Sequence, residues 1–147
     1  MIAVLVLAAV VGGALMAAQG PIYTRIAGLL GGPLQAAMLA FALGAAALLM
    51  LLFAMGAPFP RRENMAEVPV WLWGGGLFGV YAVLTSIWAV PRLGVASYMV
   101  CVIVGQLAAS YAYDRFGAFG LVPRAFSTAN LIGLGMVATG AALAVWR

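Results

Sequence analysis

The side chains able to do chemistry in an apolar setting are few here, and they recur at helical spacing. Gln106, Ser110 and Asp114 follow one another at intervals of four, and Tyr98, two turns earlier, roughly extends their row. An amide, a hydroxyl and a carboxylate on one helix face are expensive against lipid, so they belong against protein or a wet cavity. The bland reading is a hydrogen-bonded helix–helix contact; the sharper one is the lining of a translocation path. Two shorter pairs repeat the pattern. Gln19 and Tyr23 stand one turn apart near the far end of the first apolar run, and Tyr81 and Thr85 do so near the middle of the third. A phenol hydroxyl at that depth must find a partner. The sequence contains no His and no Lys, which removes imidazole metal sites and Ser-His or Ser-Lys hydrolysis. With no carboxylate pair and no metal-ligand cluster, no enzyme activity, metal or cofactor is expected. The single cysteine, Cys101, cannot form a disulfide within one chain.

The elements that hold these residues follow from composition. Of 147 residues, 67% are hydrophobic and only 7% charged. A soluble domain carries about 25% charged residues, so the chain is an integral membrane protein whose main partner is the lipid bilayer. Its apolar runs predict one transmembrane domain over residues 1–147, all-α, with five spans at about 2–26, 34–56, 70–90, 94–113 and 128–146. The first run lacks a basic leader and is taken as a span rather than a signal peptide. Pro21 is placed to kink it. Gly31-Gly32-Pro33 separates the first two spans, Pro91-Arg92 makes a tight turn between the third and fourth, and Ser127 caps the fifth. Trp71, Trp73 and Trp88 read as aromatic-belt anchors.

Small residues mark where these helices should approach closely. On the fourth span, Gly94, Ser97, Cys101, Gly105, Ala108 and Ala112 form a seam, read as lying about a quarter-turn from the polar row. Leu107 is placed roughly opposite that seam, facing lipid. Ala36, Ala40, Gly44 and Ala47 stripe the second span, and Gly75, Gly79, Ala82 and Ser86 the third. Both of these spans are therefore expected to pack through their small faces.

Charge gives little orientation. Arg61, Arg62, Arg115 and Arg124 fall on the side of the N-terminus, and Arg25, Arg92 and Arg147 on the other. Four against three is almost no positive-inside bias, and a chain so balanced can insert both ways. The acids, Glu63, Glu67 and Asp114, contribute little to this rule. The loop arginines account for the basic balance, and no nucleic-acid partner is expected.

Four ordered motifs carry a resemblance: WGGGLFGVYAVLTS at 73–86, PRLG at 91–94, GQLAAS at 105–110 and DRFGAFG at 114–120. Together they resemble the YdcZ-like family, short five-helix bacterial membrane proteins of the drug/metabolite transporter superfamily. The resemblance covers essentially the whole chain. It implies residence in the bacterial inner membrane and antiparallel pairing, as a homodimer or with a paired homologue, into an inverted dimer of ten helices. Family members commonly carry Gln then Asn four residues later in the first helix, where this chain has Gln19 and Tyr23. Their Asp-His-Phe-Gly stands here as Asp114-Arg115-Phe116-Gly117, and Asn130 occupies a position where Arg is frequent. Two antiparallel copies reproduce the inverted-repeat plan of many transporters, with the site at the midplane.

The function so implied is dual-topology export or exchange of a small organic metabolite or drug-like compound through a cavity at the dimer interface. Gln19, Tyr23, Tyr81, Thr85, Tyr98, Gln106 and Ser110 are the candidate substrate contacts. Asp114 is a candidate for proton coupling or, more blandly, for pairing with Arg115 or Arg124. Related small multidrug exporters hold cations on a carboxylate in the first helix. None is present there in this chain, which points to neutral, zwitterionic or amphipathic cargo. The alternatives are a non-transporting subunit that assembles with an unlike partner, and a lipid flippase.

Overall fold

Lipid offers a backbone no hydrogen-bond partners, so each apolar run must satisfy its N–H and C=O groups internally, as a helix. The computed structural model describes residues 2–125 and 127–146; Arg147, one of the arginines weighed above, lies outside the described residues. The helices are α1 (Ile2–Leu30), α2 (Pro33–Ala54), the short α3 (Arg62–Ala66), α4 (Gly75–Leu93), α5 (Val95–Phe116) and α6 (Thr128–Val145). A 3-10 turn over Val70–Gly74 leads into α4. With that turn included, five helices are long and apolar enough to cross a membrane. Among the described residues the protein is therefore all-helical, with five helices of membrane-spanning length and composition.

The breaks between helices have local causes. Gly31 takes φ +89, and Pro33 occupies the first turn of α2, where a missing N–H leaves no gap. α1 continues through Pro21 to Leu30. α4 likewise runs through Pro91 and Arg92, so the turn expected there falls at Gly94, whose φ of +80 favours glycine. Gly94 is thus the residue that ends α4 and opens α5. A Cβ on it would meet nothing within 4 Å, so its backbone conformation accounts for the glycine without a close neighbour.

The chain divides into two compact units, the first ending at Pro91 and the second beginning at Arg92. In the first, α1 packs on α2, and Ala27, Ala36 and Ile87 form a small buried cluster flanked by Tyr23, Ile26 and Val83. α1 also meets α4. A Cβ on buried Gly20 would stand 2.8 Å from Val90 Cγ2 and 3.8 Å from Ser86 Cβ. Ser86 is itself buried, and its hydroxyl donates to the Val83 carbonyl at 2.7 Å, so its polarity is satisfied within α4. Most large apolar side chains, Leu5, Leu7, Leu43 and Met50 among them, are exposed, as befits a surface meant for lipid.

In the second unit α5 pairs with α6, and the Ser97 hydroxyl donates to the Ala144 carbonyl at 3.0 Å. Ser97, Val100, Val104, Leu107, Tyr111 and Asp114 are half-buried at steps of three and four, which marks the stripe of α5 turned toward α6. Leu107 belongs to this packed stripe. The expectation that it faces lipid is corrected: at about 100° per residue it lies only about 80° from Ser97. Beyond Ser97 the small seam is exposed among the described residues: Cys101, Gly105, Ala108 and Ala112 are all exposed, and Gly105 faces open space.

The end of α5 is a tightly stapled corner. Gly117 takes the left-handed conformation (φ 61°, ψ 35°), and its N–H closes the helix on the Tyr113 carbonyl. A Cβ there would meet both the Leu121 carbonyl oxygen and Pro123 Cγ at 2.8 Å. The chain then doubles back so that the Arg124 N–H donates to the Asp114 carbonyl at 2.8 Å, while the Tyr113 and Phe119 rings meet edge to face at 5.1 Å. Ser127 caps α6 as the sequence indicates, accepting from the Asn130 N–H at 3.2 Å. Its hydroxyl also donates to Asn130 Oδ1 at 2.8 Å, so Asn130 has a structural role at this cap.

Candidate functional site

Within the first unit, α1, α2 and α4 enclose a groove of about 520 Å³. From α1 come Met16, Gln19 and Tyr23, successive turns of one face. From α2 come Ala40, Phe41, Gly44, Ala45 and Leu48, and from α4 come Gly79, Ala82 and Val83. The α2 segment straddles the middle of Pro33–Ala54, and the α4 segment the middle of the Val70–Leu93 span. The α1 segment covers that helix's midpoint and the two turns after it. The groove therefore lies against the middle of α2 and α4 and against α1 from its midpoint onward.

Its chemistry is simple. None of the lining residues is charged, and the amide of Gln19 and the phenol of Tyr23 are its strong hydrogen-bonding side chains. Gln19 is exposed and Tyr23 half-buried, its ring resting on the Ala27–Ala36–Ile87 cluster. The small residues of α2 and α4 make the groove by leaving room. At Gly79 the absence of a side chain has a specific consequence: a Cβ there would lie 3.2 Å from Phe41 Cζ and 3.3 Å from Cε1, so the Phe41 ring rests on the α4 backbone. Gly75, the other glycine of that stripe, begins α4 facing open space.

The remaining candidates lie elsewhere. Tyr81 is 72% exposed and does not line the groove, because two residues along a helix is about 200° away from Gly79. Thr85, one turn on, is half-buried on the same side as Tyr81. Tyr98, Gln106, Ser110 and Asp114 belong to the second unit. Gln106 and Ser110 are exposed, whereas Tyr98 and Asp114 are half-buried. On the regular α5 helix the polar row and the small seam lie roughly 180° apart, not a quarter-turn. Each step of four advances about 40° beyond a full turn, and that drift carries Asp114 to the edge of the α6-facing stripe. The hydrogen bond that ties Asp114 to Arg124 is a main-chain one.

Sequence reasoning missed Phe41, Met16, Ala45, Leu48 and Val83 as groove walls. Phe41 carried a signal: an aromatic ring set inside the small-residue stripe between Ala40 and Gly44. Met16 and Leu48 carried none, since aliphatic residues at spanning positions face lipid as readily as a groove.

Comparison with known families decides the identity. The family model described as "Putative inner membrane exporter, YdcZ" matches residues 4–143. The chain belongs to the YdcZ family. It is accordingly an inner-membrane protein, and its family is described as one of exporters, transporters rather than enzymes. Searches of curated proteins and of solved structures find no match to this YdcZ-family chain.

Proposed function

We propose that this YdcZ-family protein exports or exchanges a small organic metabolite or drug-like compound, working as an antiparallel homodimer of dual topology with a central path. The observation that carries the reading is the groove: three helix midpoints, an apolar wall, and one amide with one phenol a turn apart. Its volume of about 520 Å³ falls in the roughly 300–1,000 Å³ range of small-molecule pockets. The uncovered small face of α5 supports pairing, because small residues exposed along a spanning helix allow a second helix to come close. Antiparallel pairing would give two copies the inverted-repeat plan, in which transporters bind cargo near the midplane. It also agrees with the near balance of arginines. In this reading Gln19 and Tyr23 orient the cargo, Gln106 and Ser110, on the side of α5 away from the small seam, are further candidate contacts, and Asp114 is the candidate for coupling.

The exposed face of α5 equally suits a non-transporting subunit that binds an unlike partner. Reconstitution separates the two. Purified protein in liposomes should move small organic compounds faster than protein-free liposomes do. No flux, with the protein folded and paired, would favour the subunit reading.

A further inference from the structure

We infer that the α1–α2–α4 groove selects uncharged amphipathic molecules, and that the Phe41–Gly79 contact sets the largest apolar body it accepts. This deepens the transport reading and rests on the groove holding cargo. Charge is excluded by what surrounds the site. α2 carries no charged residue, and Arg92, the only one on α4, lies nine residues beyond Val83, about 13 Å along the helix. Arg25 follows Tyr23 by two residues, about 200° round α1, on the side turned away. A cation, an anion or a zwitterion entering the groove would lose its hydration and gain no counter-charge from these three helices. An amide or hydroxyl of the cargo instead meets Gln19, which both donates and accepts, and the Tyr23 hydroxyl one turn on.

The opposite wall fixes size. Phe41 is 41% exposed, so its ring is held on one side by the α4 backbone at Gly79 and is open on the other. A methyl at Gly79 must displace that ring by a few tenths of an ångström or more, since the separation of 3.2 Å is tighter than ordinary carbon contact. Gly44, on the next turn of α2, has open space beside it and leaves the groove room for an aromatic body.

The test uses a cysteine placed in the groove, Ala45→Cys in a Cys101→Ser background, with Gly44→Cys as a second reporter. In proteoliposomes its alkylation by N-ethylmaleimide is timed with three analogues of one body: uncharged N-acetylphenylalaninamide, cationic phenylalaninamide and anionic N-acetylphenylalanine. The uncharged amide should protect at a concentration at least about tenfold below either charged analogue, because only the charged forms lose unreplaced hydration. N-acetylalaninamide and N-acetyltryptophanamide should both protect the parent. Gly79→Ala should abolish protection by the tryptophan compound alone, and adding Phe41→Ala should restore it. Equal protection by charged analogues, equal loss for both sizes in Gly79→Ala, or no protection by any compound at either reporter overturns the inference. So does alkylation that follows only the acyl-chain length of the vesicle, which would mark the groove as a lipid seat. Protection without flux removes the transport reading and leaves the selectivity standing; flux without protection does the reverse.

Discussion

Three glycines do distinct jobs, and one substitution tells them apart. Gly117 needs its positive φ and also has the Leu121 carbonyl and Pro123 ring against it, so Gly117→Ala should cost about 1–3 kcal/mol. Gly20 has an ordinary helical backbone, but an added Cβ would lie 2.8 Å from Val90 Cγ2, on a β-branched side chain that is stiff at χ1. Gly20→Ala should therefore lower stability by about 1–3 kcal/mol through overpacking. Gly28 faces open space within α1, and Gly28→Ala should be neutral or stabilising by up to about 1 kcal/mol through helix propensity. Thermal unfolding in a mild detergent reads all three; equal effects at Gly20 and Gly28 would mean the crossing is not as close as described. Part of this was legible in the sequence. Ser127 announced its cap because capping depends on residues a few positions away. Gly20 did not announce its crossing, because which helix lies over it depends on residues some 70 positions later.

At the scale of the element, α5 shows how spacing informs and misleads. The sequence separated a small-residue row from a polar one, and both exist on one regular helix. Spacing alone does not say which row meets a partner, and the stripe turned toward α6 is neither. It consists of Ser97, Val100, Val104, Leu107, Tyr111 and Asp114, joined to α6 by the Ser97–Ala144 hydrogen bond. Leu107→Ala should therefore destabilise the fold by about 1–3 kcal/mol, below the range for a fully buried leucine. Ser97→Ala should cost about 0.6 kcal/mol, the usual worth of such a bond between spanning helices. Gly105→Leu should leave the unfolding temperature of dispersed monomer unchanged, since among the described residues no neighbour lies within 4 Å of an added Cβ, and should weaken pairing. Cross-linking yield in vesicles reports the pairing. Unchanged yield in Gly105→Leu would place the dimer contact elsewhere than this face.

For the whole molecule, the five spans were plain from composition, since a 67% hydrophobic chain with charge confined near its loops has few other arrangements. The division after Pro91 was not, because helix association in lipid depends on shape rather than on hydrophobic pattern. The groove was half legible: Gln19, Tyr23, Gly79 and the α2 stripe were each singled out, but their convergence needed three dimensions. The arginine balance predicts that a tag on the C-terminus is found on both faces of the membrane in comparable amounts, and that two or three added arginines on one side fix the orientation. A single orientation that added charge cannot move would remove the antiparallel homodimer. In the proposed function cargo crosses through the groove at Gln19 and Tyr23, and a flux measurement tests this route. N-acetylphenylalaninamide uptake into proteoliposomes is compared for wild type, Gln19→Leu and Gln19→Leu/Tyr23→Phe, each confirmed as folded dimer. Wild type should exceed protein-free liposomes, with uptake falling at least about tenfold in the single variant, as expected when a cargo hydrogen bond is lost, and to background in the double. Wild-type uptake that persists unchanged in the double variant would contradict the groove as the route.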